Sequence, residues 1–268
     1  MPYTENFHTH TLFCDGKNTP EEMVKSAIEK GFTALGFSGH SYIDFECGWC
    51  MTKEGTKEYI KTIRALAEKY VGEINIYCGT EHDVLSSINK SDYDYTLGAV
   101  HYLSFGDEHF DVDASAQCQL ETAERFLGGS MIEYAIQYFR EAGTILDRTD
   151  ADIIAHFDLL TKFNEHGELF DTSDRRYILA YTEALDMLIP YGKPFEINTG
   201  AIARGKRETP YPSIEIADYI HSKGGYFILT SDCHNAAMLD CYYDEALKMY
   251  SKYNIVSFEE ILKNNQTQ

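Results

Sequence analysis

The stretch FHTHTLFCDGKNTPEEMVKSAIEKGFTALGFSGHS, residues 7–41, decides how this chain is read. It opens on His8 and His10, one residue apart, so that both side chains fall on the same side of an extended segment. A polar loop follows, and then a helix signature: Thr19 at the N-cap, Pro20 at the first helical position, Glu21 and Glu22 in the first turn, and Gly31 at the stop. The run TALGFS (33–38) is short, apolar and bounded by turn residues, as a buried strand should be, and His40 stands just beyond its end. The unit is a strand and a helix, with a ligand-type side chain where each strand stops.

Outward from this stretch the unit repeats. The runs INIYCG (74–79), YTLGAV (95–100), DIIAHF (152–157), PFEINT (194–199) and YFILTS (226–231) read as further buried strands, and amphipathic patterns over 54–70, 115–142, 173–189, 213–223 and 242–252 read as helices. Alternation of this kind implies a parallel sheet with helical crossovers. With about seven such units, and no G-x-G-x-x-G or G-x-x-x-x-G-K-[ST] to mark a nucleotide fold, the α/β chain is expected to close into a TIM-like barrel rather than an open doubly wound sheet. No linker, low-complexity segment or fixed-period repeat interrupts it, so residues 1–268 read as one domain.

In a parallel barrel the carboxyl ends of the strands converge on one face, where active sites are built. His8, His10, His40, Glu81, His101, His156, Asp232 and His234 all fall at or just past such ends, on six different strands. Imidazole and carboxylate are the ligand types that zinc, iron and manganese accept. Asp232-Cys233-His234 repeats the spacing of the first pair, and Glu81 could bridge two cations through its two oxygens. Asp15, in the loop TLFCDG, reads equally as a turn residue before Gly16 or as a further ligand. His82 and Asp83 are candidates to support the ligands from behind. His109, His166 and His221 lie away from strand ends and read as ordinary structural histidines.

Composition narrows the function. A formal net charge of −20 repels polyanions, which argues against long nucleic acid, while clustered carboxylates suit hard divalent cations. No apolar run of membrane-spanning length and no signal-peptide pattern is present, so neither a membrane partner nor export is expected, and the cytoplasm is the expected location. The seven cysteines form an odd set that suits reduced thiols. Cys47 and Cys50 in ECGWC make a C-x-x-C pair; with no second pair and no thioredoxin-like context, they read as unlinked thiols rather than as a redox motif or half a zinc cage.

The segments FHTHTLFCDG (7–16), GFSGHS (36–41), GTEHD (79–83), GAVH (98–101), AHFD (155–158), EINTGAIARG (196–205) and TSDCHN (230–235) together resemble the polymerase and histidinol phosphatase (PHP) family of metal-dependent phosphoesterases. Chain length and the EINTG and AHFD contexts are similar to those of its stand-alone histidinol-phosphatases. The resemblance implies a distorted (β/α)7 barrel and three divalent ions, zinc, iron or manganese. It implies His8, His10, Glu81 and Asp232 at the first, Glu81, His101 and His156 at the second, and Asp15, His40 and His234 at the third. Some relatives carry histidine in place of Asp15, so the third set departs from part of the family.

The reaction implied is hydrolysis of a phosphate monoester by a water made acidic enough to supply hydroxide at neutral pH. Asp232 or His234 would protonate the leaving alcohol. Phosphate also calls for cationic donors. Arg204 heads the candidates, with Arg207 in the same basic loop and Lys162 six residues after His156. L-Histidinol phosphate is the substrate that the resemblance to the stand-alone histidinol-phosphatases implies, and a cationic small molecule also suits an acidic protein. The rivals are phosphotyrosine or a small nucleotide as substrate, and, from another class, a catalytically silent metal-binding module.

Overall fold

The computed structural model describes residues 3–45 and 47–265. Among these residues the strands are β1 (Glu5–Asn6), β2 (Ala34–Phe37), β3 (Asn75–Asp83), β4 (Tyr95–Ala99), β5 (Tyr102–Phe105), β6 (Glu108–Asp111), β7 (Ile153–Ile154), β8 (Phe195–Asn198) and β9 (Phe227–Thr230). The α-helices are α1 (Pro20–Glu29), α2 (Lys53–Lys69), α3 (Ala116–Phe126), α4 (Met131–Ala142), α5 (Ile145–Thr149), α6 (Arg175–Leu188), α7 (Gly200–Ala203), α8 (Ile214–Ser222), α9 (Tyr243–Met249) and α10 (Phe258–Asn265). Seven strands pair in parallel in the order β1-β2-β3-β4-β7-β8-β9, while β5 and β6 form a separate antiparallel hairpin. The two edges of the parallel sheet then meet. Thr9 bridges Cys233, with His10 N–H donating to Cys233 O at 2.8 Å and Cys233 N–H donating to His8 O at 3.0 Å. The result is the nearly closed (β/α)7 barrel that the alternation predicts.

Two buried layers follow from the period-two alternation of the strands. Leu35, Phe37, Ile76, Cys78, Ile154, Ile197, Phe227 and Leu229 point outward and join helix residues such as Val24, Tyr59, Leu185 and Ile220 in the larger core. Ala34, Tyr95, Leu97, Ala99, Ile153, Ala155 and Ile228 point inward with Phe7, and Phe258 and Ile261 of α10 close this inner cluster. Phe258 stacks on Phe7 at 3.7 Å between ring centroids. Tyr95 is the large group inside, with its hydroxyl 2.8 Å from Phe7 O and 3.1 Å from Phe37 O. Gly36 and Gly79 leave the space its ring occupies.

Local signals account for most helix ends. Thr19 and Glu22 form a reciprocal capping box at α1, with Glu22 N–H donating to Thr19 Oγ1 and Thr19 N–H donating to the Glu22 carboxylate. Gly31, at φ 79°, takes the left-handed turn that ends this element. The continuous helix expected over 115–142 is corrected to α3 and α4. Gly128 and Gly129, at φ 62° and 77°, break it, and Ser130 caps the second piece through Glu133 N–H.

A methyl group at Gly79 would be driven into the fully enclosed ring of Tyr95. Gly79→Ala is therefore expected to lower unfolding stability by about 1–3 kcal/mol. Denaturant titration checks this, and an unchanged midpoint would show that the inner layer has slack.

Candidate metal centre

The inward rows that form the apolar floor end, at the carboxyl side of each strand, in ligand-type residues. Tyr77 and Gly79 lead to Glu81, Leu97 and Ala99 to His101, and Ile228 and Thr230 to Asp232. Thr9 is turned toward β2, its hydroxyl donating to Gly36 O at 2.8 Å and its N–H to Ser38 Oγ at 3.0 Å; the flanking His8 and His10 are fully buried. The following loop folds back on itself, with Cys14 N–H and Gly16 N–H both donating to Thr11 O, and this carries Asp15 to the rim. Asp232 sits at φ 44°, the left-handed region that aspartate tolerates better than most residues. Gly200 gives it room, since a Cβ there would lie 2.7 Å from Asp232 Cβ.

These residues gather around Glu81. Its Oε1 lies 2.7 Å from His156 Nε2 and 3.1 Å from His101 Nε2. Its Oε2 lies 2.9 Å from His40 Nδ1, 3.1 Å from His8 Nε2 and 3.5 Å from His10 Nε2. Asp232 Oδ1 is 3.2 Å from His10 Nε2 and 3.7 Å from His8 Nε2. Asp15 joins at the rim, with Oδ2 3.0 Å from His234 Nε2 and Oδ1 3.6 Å from both His10 Nδ1 and His40 Nε2. All nine residues expected from the sequence as ligands are thus in one place, in overlapping groups that could hold cations.

Whether the set fits cations is answered by its unpartnered atoms. His8 Nε2, His10 Nε2, His40 Nδ1 and Glu81 Oε2 are buried, close together, and without an aligned hydrogen-bond partner. Buried polar atoms in that state are uncommon, and donors of these types converging on shared space suit zinc, iron or manganese. The electrostatics agree. Burial opposes the charge on Glu81, but His40, His8 and His101 hold its carboxyl well below the usual range. Burial, with His234 and His40 nearby, pushes His10 down to about 3, leaving it neutral and able to ligate. Burial likewise disfavours charge on His8, yet Glu196 and Glu81 raise its pKa well above the ordinary value, so a proton and a cation compete for it.

Behind the ligands stand acceptors that fix their orientation. Asp83 does what its position suggested, accepting at 3.0 Å from His101 Nδ1 and at 2.9 Å from His101 N–H. His82 does not; it turns to Ser86 O. Behind the ligands, sequence reasoning missed Glu196, which is fully buried. Its carboxylate lies 2.5 Å from His8 Nδ1 and accepts from His156 N–H at 2.8 Å, Asn198 Nδ2 at 2.9 Å and Thr230 Oγ1 at 2.5 Å. A signal was present, since a glutamate inside the apolar run PFEINT needs a partner.

A cavity of about 300 Å³ opens above the cluster, lined by Arg204, Lys162, Trp49, Asp111 and Asp113 together with ligand residues. Arg204 donates to Asp232 Oδ2 at 3.0 Å and approaches His234 Nδ1 at 2.9 Å, while its buried Nε–H has no partner. Lys162 Nζ donates to Asp113 Oδ2 at 2.7 Å and to Asp113 O at 2.9 Å. Arg207 is a correction. Its guanidinium is spent on Thr161 O, Thr161 Oγ1 and Thr209 O and lies over the Tyr211 ring, outside the cavity. Trp49, Asp111 and Asp113 were not foreseen; they come from the loop after β2 and from the β5–β6 hairpin and the turn after it. Burial and the neighbouring Asp113 push Asp111 up to about 6, and although burial also opposes charge on Asp113, Lys162 holds it down to about 2. His109 pairs with Ser104 Oγ, and His109, His166 and His221 lie outside the cavity lining. Cys47 and Cys50, expected as unlinked thiols, are joined as a disulfide; they stand on either side of Trp49, within bonding reach across a three-residue step.

The family model described as the PHP domain matches residues 6–200. Two curated relatives carry the name "Probable histidinol-phosphatase". One, from Deinococcus radiodurans, is 29% identical over 254 residues and covers 90% of either chain; the other, from Schizosaccharomyces pombe, is 25% identical over 277 residues, covering 96% of this chain and 88% of its own. Among solved structures, hisK from Listeria monocytogenes superposes with a TM-score of 0.77 at 20% identity, covering 90% of this chain and 99% of its own. Histidinol phosphate phosphatase from Lactococcus lactis, complexed with zinc, L-histidinol and phosphate, gives 0.69 at 21%, covering 94% and 95%. At these identities the structures establish the likeness of fold.

Glu196→Gln replaces an acceptor with a group that cannot accept from all four donors. It is expected to weaken metal binding by about 10- to 100-fold with the circular dichroism spectrum unchanged. Metal titration checks it, and retained affinity would reduce Glu196 to a packing residue.

Proposed function

This chain belongs to the PHP domain family, and from that premise we propose that it is a metal-dependent phosphomonoesterase that converts L-histidinol phosphate and water to L-histidinol and phosphate. The observation that carries the reading is the group of unpartnered, buried nitrogen and oxygen atoms around Glu81, beneath a cavity lined by Glu81 and His40 that also presents Arg204 and Lys162. Glu81 Oε2 faces His8, His10 and His40 and Oε1 faces His101 and His156, with Asp232 on the side of His8 and His10, so the carboxylate stands between groups that would hold more than one ion. Asp15, His40 and His234 are the proposed holders of a third. Divalent ions there would neutralise phosphate charge and lower the pKa of a water until hydroxide is available near neutral pH.

The remaining work falls to the protein. Arg204 has an unspent Nε–H for a phosphate oxygen, and its bond to Asp232 fixes the guanidinium plane. Lys162, held by Asp113, offers a third N–H toward the same cavity. Burial opposes the charge on Asp232, but Arg204, His8 and His10 outweigh it and keep the carboxylate ionised, which makes it a poor proton donor to the leaving alcohol. At the far wall, the Trp49 face and the Asp111 carboxylate suit a flat cationic ring or an ammonium group. The solved relative bound to zinc, L-histidinol and phosphate carries ligands of the same chemical kind.

Turnover of histidinol phosphate, a phosphotyrosine peptide and nucleoside monophosphates should be compared side by side on metal-analysed protein. Histidinol phosphate is expected to lead; preference for either of the others overturns the substrate assignment, and no turnover with any metal supplied would leave a silent binding module. Glu81→Ala and His101→Ala are each expected to abolish hydrolysis while circular dichroism stays near native. Arg204→Ala should raise KM or lower kcat/KM with metal content intact, and unchanged kcat/KM would place the phosphate donor elsewhere.

A further inference from the structure

The C-x-x-C pair is a sequence motif that the proposed chemistry leaves unused, and it stands beside the site. Trp49 lies between the two cysteines and lines the cavity. Its ring sits 4.4 Å from that of His40 and 5.1 Å from that of His101, and stacks on Tyr102 at 5.6 Å and 8°. Residues 47–52 form neither helix nor strand. The segment is pinned on both flanks, by Ser41 N–H to Glu81 O and by Met51 N–H to His40 O. Between those pins the sulfur link is the covalent tie, with Cys50 N–H donating to Cys47 Sγ at 3.2 Å and the Tyr102 hydroxyl 3.7 Å from the same sulfur.

We propose that Cys47–Cys50 is a reversible thiol–disulfide site that fixes Trp49 against the cavity and so sets how tightly the substrate is held. The proposal rests on the phosphomonoesterase reading for its effect on substrate and on geometry alone for the switch. Gly48 in the linked loop is exposed and unrestricted, so opening the link frees Trp49 to leave the Tyr102 ring. Both cysteines are partly exposed, whereas Cys78 and Cys233 are buried and shielded from small thiols. The step is exchange with a monothiol such as glutathione. One thiolate attacks a sulfur of the pair and forms a mixed disulfide; a second releases it. Two monothiols become one small disulfide, and Cys47 and Cys50 gain one proton each.

Trp49 is the only tryptophan in the chain, so its emission reports the loop directly. The metal-loaded protein is placed in reduced or oxidised glutathione buffer, and thiols are counted after denaturation under acid quench. Five are expected in the oxidised form and seven in the reduced. Trp49 emission should change on reduction, and KM for histidinol phosphate should rise about 2- to 10-fold, the scale of one aromatic contact, with kcat and metal content unchanged. The C47S/C50S double variant should show the reduced-form values in both buffers. Seven thiols under oxidation, identical emission and KM in the two buffers, or a double variant that still responds would each overturn the proposal. If the substrate assignment fails instead, no histidinol phosphate is turned over in either buffer, while thiol count and emission still decide the switch.

Discussion

Taking the Glu81 carboxylate out of water costs on the order of several kcal/mol, and the fold meets that cost with five imidazoles brought from four separate segments of the chain. His8, His10, His40, His101 and His156 all lie within 3.5 Å of one or other of its oxygens. Strand register makes this possible, because the inward row that packs Tyr95 and Leu97 against Phe7 ends in acceptors and donors one turn of the pleat higher. The apolar floor and the polar mouth are therefore one device. Tyr95 and its glycine neighbours set the spacing below, and Glu81 uses that spacing above.

Much of this was legible in the sequence because strand ends can be read from residue type. Short β-branched runs bounded by turn residues locate the ends, and histidines just beyond them are conspicuous against an otherwise polar background. What could not be read is where a side chain points once its backbone leaves a regular element. Arg204 and Arg207 lie three residues apart in one basic loop, yet Gly205, at φ 64°, reverses the chain between them. One guanidinium reaches Asp232, and the other turns away to Thr161. Likewise the amphipathic pattern over 115–142 continues through Gly128 and Gly129, and only their left-handed backbone reveals that two helices are present.

Glu196 illustrates a second limit. Its four donors come from positions 8, 156, 198 and 230, and no local pattern connects them. A buried carboxylate in an apolar run signals that partners exist without saying which. Trp49, Asp111 and Asp113 were missed for a related reason: the β5–β6 hairpin and the loop after β2 reach over the barrel mouth through tertiary packing, with Trp49 stacked on Tyr102. The walls of the cavity thus belong to the hairpin and to loops outside the barrel, whereas its floor belongs to the barrel.

The seam at Thr9 and Cys233 has a consequence for how the molecule comes into being. It is reinforced by Asn6 and Ser231, whose hydrogen bond spans 225 positions. A nascent chain emerging from its amino end exposes His8 and His10 long before Asp232 exists, and such distant pairings are slow to form. An ion that needs the full constellation could be held only once β9 is in place, and a truncation ahead of β9 would take Asp232 and His234 away from it. Any ion held there in turn clasps the first and last staves together, so that occupancy of the mouth and closure of the whole cylinder become one equilibrium.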